Sequence, residues 1–364
     1  MYRINVYYEI NGVNMKKPVL LKLMPDEGIQ SIVMEKNNLY PREIQVYSEL
    51  LIECENLLLA CNDPIQFAPK CLYTSFEPKS LLMFEDMRDK GYKGFPRNSQ
   101  INFNQALPIL IKLAKLHATT AVVYEKKPEI MKLYLEGSIS TNPERQDFLI
   151  HYRNCASTLA LVIENEWAPE WRNTAHKLKQ LADVIVQKGC DLYLRDENAF
   201  NVFNHNDLWI PNLLFKFDDN NLIQDVLFVD FQLSYFGSPG IDLNFFFYGS
   251  LNEDTRKSFR HKLIRIYHET LAETLKKLNY MKPIPSLHDI QIEMLKTGMN
   301  GVLAALAEVP LLLMEDSENL DLKTLLADTP EAKTFRYNLF NNPKYRKFIQ
   351  TLLLEFDDLG YLEC

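Results

Sequence analysis

The six cysteines of this chain form no Cys-x-x-Cys pair and no spacing that suits a zinc site. Cys54, Cys61, Cys71, Cys155, Cys190 and Cys364 therefore read as reduced, mostly buried thiols of a cytoplasmic protein. An excess of basic residues is missing too. Forty Lys and Arg face 48 Asp and Glu, a net charge of −8, and this balance argues against a nucleic-acid or anionic-membrane partner, since both demand a basic surface. The first twenty residues carry Arg3, Glu9, Lys16 and Lys17, leaving no apolar stretch for a signal peptide. The most apolar later stretch, 301–314, is interrupted by Glu308 and Pro310, so no bilayer-spanning segment is expected. Repeats and low-complexity tracts are absent, and nothing in the sequence signals an oligomeric state. What is present, 47% hydrophobic and 24% charged residues over 364 positions, is a soluble, globular chain long enough for one large or two ordinary domains.

The informative stretch is 203–215 together with 226–232. His205, Asp207 and Asn212 lie in a polar segment that cannot continue as a helix through Pro211 and so reads as a loop. The run 213–217 gives way to the turn-forming cluster Asp218-Asp219-Asn220-Asn221, and an apolar run resumes at Val226 and ends at Asp230. That is a hairpin flanked by acids. An acid and an amide on one loop, with a second acid just past a hairpin, can converge on one point. Phosphoryl transfer needs this set: one carboxylate accepts the proton of the attacking hydroxyl, while an amide oxygen and the other carboxylate hold the magnesium that bridges the phosphates. Asp207 is assigned as the base, with Asn212 and Asp230 as metal ligands. The competing reading is an exposed acidic hairpin beside a core histidine.

His-x-Asp-Leu-Trp-x-x-Asn followed by Asp-Phe-Gln resembles the catalytic segment of the ecdysteroid kinase-like (CHK kinase-like) family, related to aminoglycoside phosphotransferases and choline kinases. The position after His205 is commonly glycine in such motifs; here it is Asn206, which tolerates unusual backbone angles. Taken alone, Lys22 is an ordinary strand lysine on the face opposite Leu21 and Leu23. The resemblance implies more. Leu21-Lys22-Leu23-Met24-Pro25 is similar to the family's lysine strand and 40–47 to its helix, so that Lys22, held by Glu43, would meet the phosphates of ATP. Glu85-Asp86-Met87 resembles the family's hinge, where backbone groups at Glu85 and Met87 would bond the adenine; a plain interdomain linker is compatible with this. Asp242 resembles a structural aspartate that ties down the catalytic loop, or is simply a helix-start acid. His117, on a helix that also resembles the family's, reads as a satisfied core residue.

The predicted fold class is α+β, a bilobal protein-kinase-like fold with an N-terminal lobe over 1–86, a hinge over 87–100 and a helical C-terminal lobe over 101–364. Strands are expected at 2–8 and 19–24 around Asn11-Gly12, and at 65–73 and 81–84 around Glu77-Pro78-Lys79-Ser80. A helix over 40–51 takes Pro41 in its first turn, and a long helix over 104–124 requires Pro108 in its first turn. Further helices are expected at 129–135, 147–164, 169–187, 254–278, 288–314, 335–342 and 344–359, with another starting at Ile241. Loops are expected at 138–143 and 234–240, and the aromatics Phe245 to Tyr248 read as core.

Kinases of the resembled kind open with a strand and a phosphate-covering loop ahead of the strand that begins here at Tyr2. The resemblance therefore predicts a small antiparallel sheet lacking its first strand and phosphate loop. Two functional expectations follow. One is an ATP- and Mg-dependent kinase acting on a hydroxyl of a small-molecule alcohol, an ecdysteroid-like steroid or a xenobiotic. The other is a catalytically inactive, kinase-like binding protein or truncated isoform. A protein kinase fits less well, because Gln232 replaces the glycine of Asp-Phe-Gly and no Ala-Pro-Glu-like segment follows Asp242.

Overall fold

The computed structural model describes residues 1–25, 29–96, 98–137, 147–314, 327 and 329–363. The chain opens with β1 (Tyr2–Ile10) and β2 (Val13–Leu23), antiparallel and in unbroken register from Tyr2 opposite Leu21 to Ile10 opposite Val13. Asn11 and Gly12 take φ of 54° and 81°, the two left-handed positions that a tight hairpin turn requires. β2 begins well before the apolar run at Val19 because backbone pairing continues along a ribbon whose tip is exposed on both faces. β3 (Cys71–Ser75) and β4 (Leu81–Glu85) complete a sheet of order β1-β2-β4-β3. The strand expected from residue 65 begins only at Cys71. Pro64 and Pro69 have no N–H for a ladder, and the Phe67 N–H is taken instead by the Glu55 carboxylate at 2.9 Å.

Two helical stretches pack behind this sheet. α1 (Ile29–Lys36), which has no counterpart in the sequence reading, ends before Asn38 at φ 53°. α2 (Leu39–Gln45) runs through a π-helical turn, Val46–Leu50, into α3 (Leu51–Ala60), so the helix expected to stop at 51 extends to Ala60. Pro41 does fall in its first turn. The charged linker forms a 3₁₀ turn, Met87–Lys90, closed by Gly91 at φ 84°, and then β5 (Tyr92–Lys93), which joins a second sheet with the later strands Leu213–Phe217 and Ile223–Phe228.

α4 (Phe103–Lys126) is the axis of the helical remainder. Asn102 and Gln105 close its N-terminus as a reciprocal capping box. Starting there puts Pro108 in the second turn, not the first. The orphaned acceptor is the carbonyl of Asn104, an exposed residue where water can serve it. α4 also corrects the expectation that no segment is long and apolar enough to cross a membrane. By length and composition it is, but 78% of its most apolar window is buried inside the protein. It is the core helix, packed against α8 (Glu253–Lys277).

The predicted helix at 129–135 is a 3₁₀ segment, Pro128–Tyr134, and the loop at 138–143 lies outside the described residues. α5 (Asp147–Glu166) and α6 (Arg172–Leu192) pack together. β6 (Val202–Asn204) pairs with β9 (Tyr235–Gly237), so the segment predicted as loop over 234–240 is partly strand. Between them lie β7 (Leu213–Phe217) and β8 (Ile223–Phe228), the predicted hairpin. α7 (Gly240–Gly249) is buried along its whole length, Phe245 to Tyr248 included.

The long helix predicted over 288–314 is two helices, α9 (Leu287–Lys296) and α10 (Gly298–Leu312), divided at Thr297. Gly298, which opens α10, stands where any Cβ would lie 1.9 Å from the Tyr361 ring. Helices Pro330–Phe340 and Pro343–Asp358 finish the chain. A small antiparallel sheet ahead of a mostly helical remainder is the α+β class read from the sequence.

Candidate active site

Lys22 sits one residue before the end of β2, opposite Leu82 of β4. Its Nζ donates to Glu43 Oε2 at 2.6 Å and to Asp230 Oδ1 at 2.8 Å. Burial alone would lower the pKa of this ammonium, but the charges of Glu43 and Asp230 outweigh it and hold Lys22 above its ordinary value. Glu43 is 1% exposed, and burial pushes its carboxyl up to about 7 against the opposing charge of Lys22. Arg42, its neighbour on α2, is also buried. It donates to the Ser234 carbonyl at 2.9 Å and to that of Glu136, strapping α2 to the chain just past Asp230.

Asp230 follows β8 in a left-handed conformation, φ 68° and ψ 62°, and opens the 3₁₀ turn Phe231–Leu233. That kink turns Phe231 inward. Its ring lies 5.5 Å from Tyr47 and 4.7 Å from His205, and Tyr47 lies 4.7 Å from Phe84. One column of rings thus runs from β4 through the helix to the loop that carries Asp207. His205 serves in this column. Burial lowers its pKa, and its Nε2 meets the Val229 carbonyl at 2.9 Å, which suits a neutral packing residue rather than a base.

The loop between β6 and β7 is built around Asp242. The Asp242 carboxylate accepts from the N–H groups of His205 and Asn206, both at 2.7 Å, and lies 3.2 Å from His117 Nε2. His117 Nδ1 lies 2.7 Å from the Tyr267 hydroxyl, which satisfies both ring nitrogens of a fully buried histidine. Asp242 stands in the first turn of α7 as well, so both readings of it apply. Asn206 adopts φ 62°, the left-handed angle for which glycine or asparagine is suited. Its side chain bonds the Leu233 carbonyl at 2.9 Å and the Tyr193 hydroxyl at 2.7 Å.

Pro211 sits in the 3₁₀ turn Ile210–Asn212. The Asn212 amide nitrogen donates to Asp207 Oδ2 at 2.8 Å and to the Asp207 carbonyl at 2.9 Å, which leaves its amide oxygen for another partner. Val229 N–H bonds the Asn212 carbonyl at 3.0 Å and fixes this loop beside Asp230. Burial pushes the Asp207 carboxyl well above the usual range, with the charges of Glu308 and Asp230 adding to the push.

Lys22, Glu43, Asn212 and Asp230 line one cleft of about 220 Å³, together with Glu85 and Met87. Asp207 does not line it; Asn212 joins the two. The Glu85 carboxylate is turned to Gln66, the Lys70 N–H and Lys90, and its own N–H bonds the Lys70 carbonyl at 3.0 Å. Glu85 therefore offers a ligand its backbone carbonyl only. Met87 opens a 3₁₀ turn, where the first N–H groups have no partner within the turn.

Among the described residues no three His, Cys, Asp or Glu side chains form a closed metal cage. One amide oxygen and one carboxylate are nonetheless a hard oxygen pair that suits magnesium, which takes few protein ligands and completes its shell with phosphate and water. The sequence reading gave no part to Glu308, whose charge raises the Asp207 carboxyl. It figured there only as an interruption of an apolar stretch, although a lone charge in such a stretch is itself a signal.

The model of the ecdysteroid kinase-like family matches residues 1–280 of this chain. No curated protein matches it.

Proposed function

The chain belongs to the ecdysteroid kinase-like family, whose members are kinase-like small-molecule phosphotransferases, and we propose that it transfers the γ-phosphoryl group of ATP to a hydroxyl of an ecdysteroid-like steroid or a xenobiotic alcohol. The observation that carries this reading is the convergence of Lys22, Asn212 and Asp230 on one cleft, with Asp207 bonded to Asn212 at its edge.

Each residue has a task that its surroundings suit. Lys22 presents a permanent positive charge to the phosphates while Glu43 keeps it in place. The adenine meets the Glu85 carbonyl and the Met87 N–H at the back of the cleft. Asp207 uses Oδ2 to hold Asn212, so Oδ1 takes the proton as the acceptor oxygen forms its bond to phosphorus and the bond to ADP breaks. Asn212 and Asp230 would hold magnesium, which supplies charge neutralisation at the phosphate oxygens. Catalysis of this kind is positioning plus electrostatics, and the Asp242 carboxylate and the ring column supply the positioning. The five described cysteines are unbridged, which suits the cytoplasmic setting of this reading, with neither nucleic acid nor membrane as partner.

A thermal-shift titration with magnesium and ATP tests this, run beside Asp230→Asn. Ligand binding to the native state raises its stability according to concentration over affinity. A magnesium-dependent rise that the variant loses is the expected result. The same rise in both proteins would remove Asp230 from the metal site, and no rise in either would leave a kinase-shaped chain that does not bind nucleotide.

A further inference from the structure

In a chain of net charge −8, α8 carries Arg256, Lys257, Arg260, Lys262 and Arg265 between Thr255 and His268, with no acid among them. Arg256 and Arg260, one turn apart, share the ring of Tyr248 on α7: their guanidinium carbons lie 5.9 and 6.0 Å from its centre, and that of Arg256 lies 5.7 Å from Phe348 as well. Arg256 is only 1% exposed. Its Nε donates to Glu355 Oε2 at 3.2 Å, and Glu355 Oε1 accepts from the Tyr248 hydroxyl at 2.9 Å. Arg256 Nη1 and Nη2 and Arg260 Nε have no hydrogen-bond partner among the described residues. The ring faces offset part of the Arg256 charge, yet four of its five N–H donors stay unused. A buried charged donor left without an acceptor costs stability unless something uses it.

Both arginines line an open cavity of about 480 Å³ between α8 and the closing helix Pro343–Asp358, and no residue of the nucleotide cleft lines it. Leu354 and Leu359, two exposed apolar side chains, form part of its wall. Lys257 stands in it too, turned to Glu253 Oε1 at 2.6 Å, with His261 beside Arg260. The acids of the lining are Glu355, engaged by Arg256 and Tyr248, and Asp358. Neither Arg260 nor Asp358 makes an ion pair among the described residues.

We infer that this cavity is a binding site for an amphiphilic carboxylate, a single anionic head on an apolar body. The head takes the unused Nη1 and Nη2 of Arg256, since two N–H groups of a guanidinium match the two oxygens of a carboxylate. Arg260, which no hydrogen bond or ion pair holds in place, closes on the same head, while the body covers Leu354 and Leu359. A doubly charged phosphate fits less well, because Asp358 shares the lining and repels the second charge. The site does not depend on the proposed kinase activity.

Calorimetry with octanoate, octanol and acetate at equal ionic strength tests this on the native protein, Arg260→Gln, Arg256→Lys and Asp358→Asn. Octanoate is expected to bind the native protein about tenfold or more tighter than octanol, as a hydrogen bond to a charged group allows, and tighter than acetate, which lacks the body. Arg256→Lys keeps the charge but loses the fork, and should weaken octanoate about tenfold. Arg260→Gln should weaken it by a similar factor and, having no bond to lose, should melt with the native protein, so it carries the test even where Arg256→Lys fails to fold. Asp358→Asn should tighten octanoate.

No binding of octanoate overturns the inference and leaves Arg256 a structural cation between α7 and the closing helix. Equal affinity for octanoate and octanol overturns it as well, since the apolar wall alone would then be at work. So does octanoate binding that Arg260→Gln leaves unchanged, which would place the anion elsewhere, or binding that Asp358→Asn weakens, which would mean that the cavity selects a cationic group.

Discussion

The Lys22 ammonium is shared between Glu43, 2.6 Å away, and Asp230, 2.8 Å away and 208 positions along the chain. Sheet, helix and post-hairpin turn therefore meet at one cation. Lys22→Met would leave Glu43, 1% exposed, with no positive partner, a loss of about 3–5 kcal/mol for a buried pair broken on one side. Adding Glu43→Gln removes the stranded charge, so the double variant should be more stable than Lys22→Met alone. Denaturant titration of the four proteins measures this coupling, and strictly additive losses would show that the two residues act independently.

Asp207→Asn keeps the size of the side chain and its contact with Asn212 but cannot take up a proton. On the kinase reading, kcat should fall by about 10²–10⁴, the usual worth of a positioned general base. The ATP- and magnesium-dependent thermal shift should persist, because Asp207 does not line the nucleotide cleft. Steady-state rates with any accepted alcohol decide it, and a turnover number within a few-fold of the native protein would remove Asp207 as base.

Asn206 contributes both a backbone angle, φ 62°, and two side-chain hydrogen bonds. Asn206→Gly and Asn206→Ala lose the same two bonds, so the difference between them isolates the backbone. Left-handed geometry costs a non-glycine residue about 1–2 kcal/mol, while glycine gives back about 0.4–1 kcal/mol through the freer unfolded chain. The glycine variant should therefore be the more stable of the two by roughly 0.5–1 kcal/mol. Urea midpoints at equal m-values measure it, and equal midpoints would mean that the left-handed angle carries no strain.

Features with a local cause were legible in the sequence. Asn11-Gly12 dictates the opening hairpin by its own backbone preference, and Pro211 with the acids around it dictates a loop before a hairpin. The family resemblance supplied the partnership of Lys22 with Glu43, which spacing alone did not. Features with a remote cause were not legible. The Arg42 bonds to the Ser234 and Glu136 carbonyls, 192 and 94 positions away, left no local signal, whereas the Asn102–Gln105 capping box that puts Pro108 in the second turn was a local signal passed over. Glu308 lies 101 positions from Asp207, and no local signal foretells that its charge raises the Asp207 carboxyl.

The partial burial of Glu308 predicts how stability varies with pH. Burial raises Glu308 from its ordinary 4.5 to about 7, so the folded protein binds this proton more tightly than the unfolded chain does. The stabilisation it brings is fully present below about pH 4.5 and is lost as the pH rises through 7. Glu308→Gln carries no such proton, so this contribution drops out of its pH dependence. The variant should match the native protein near pH 4.5 and become the more stable of the two by pH 7.5. The gap should be on the order of 1–3 kcal/mol once partial exposure is discounted. Paired denaturant titrations at several pH values between 4.5 and 7.5 read the difference directly, and subtracting the two proteins cancels every other titrating group that the substitution leaves alone. A gap of opposite sign, with the native protein gaining as the pH rises, would mean that Glu308 ionises against a cation rather than in apolar surroundings.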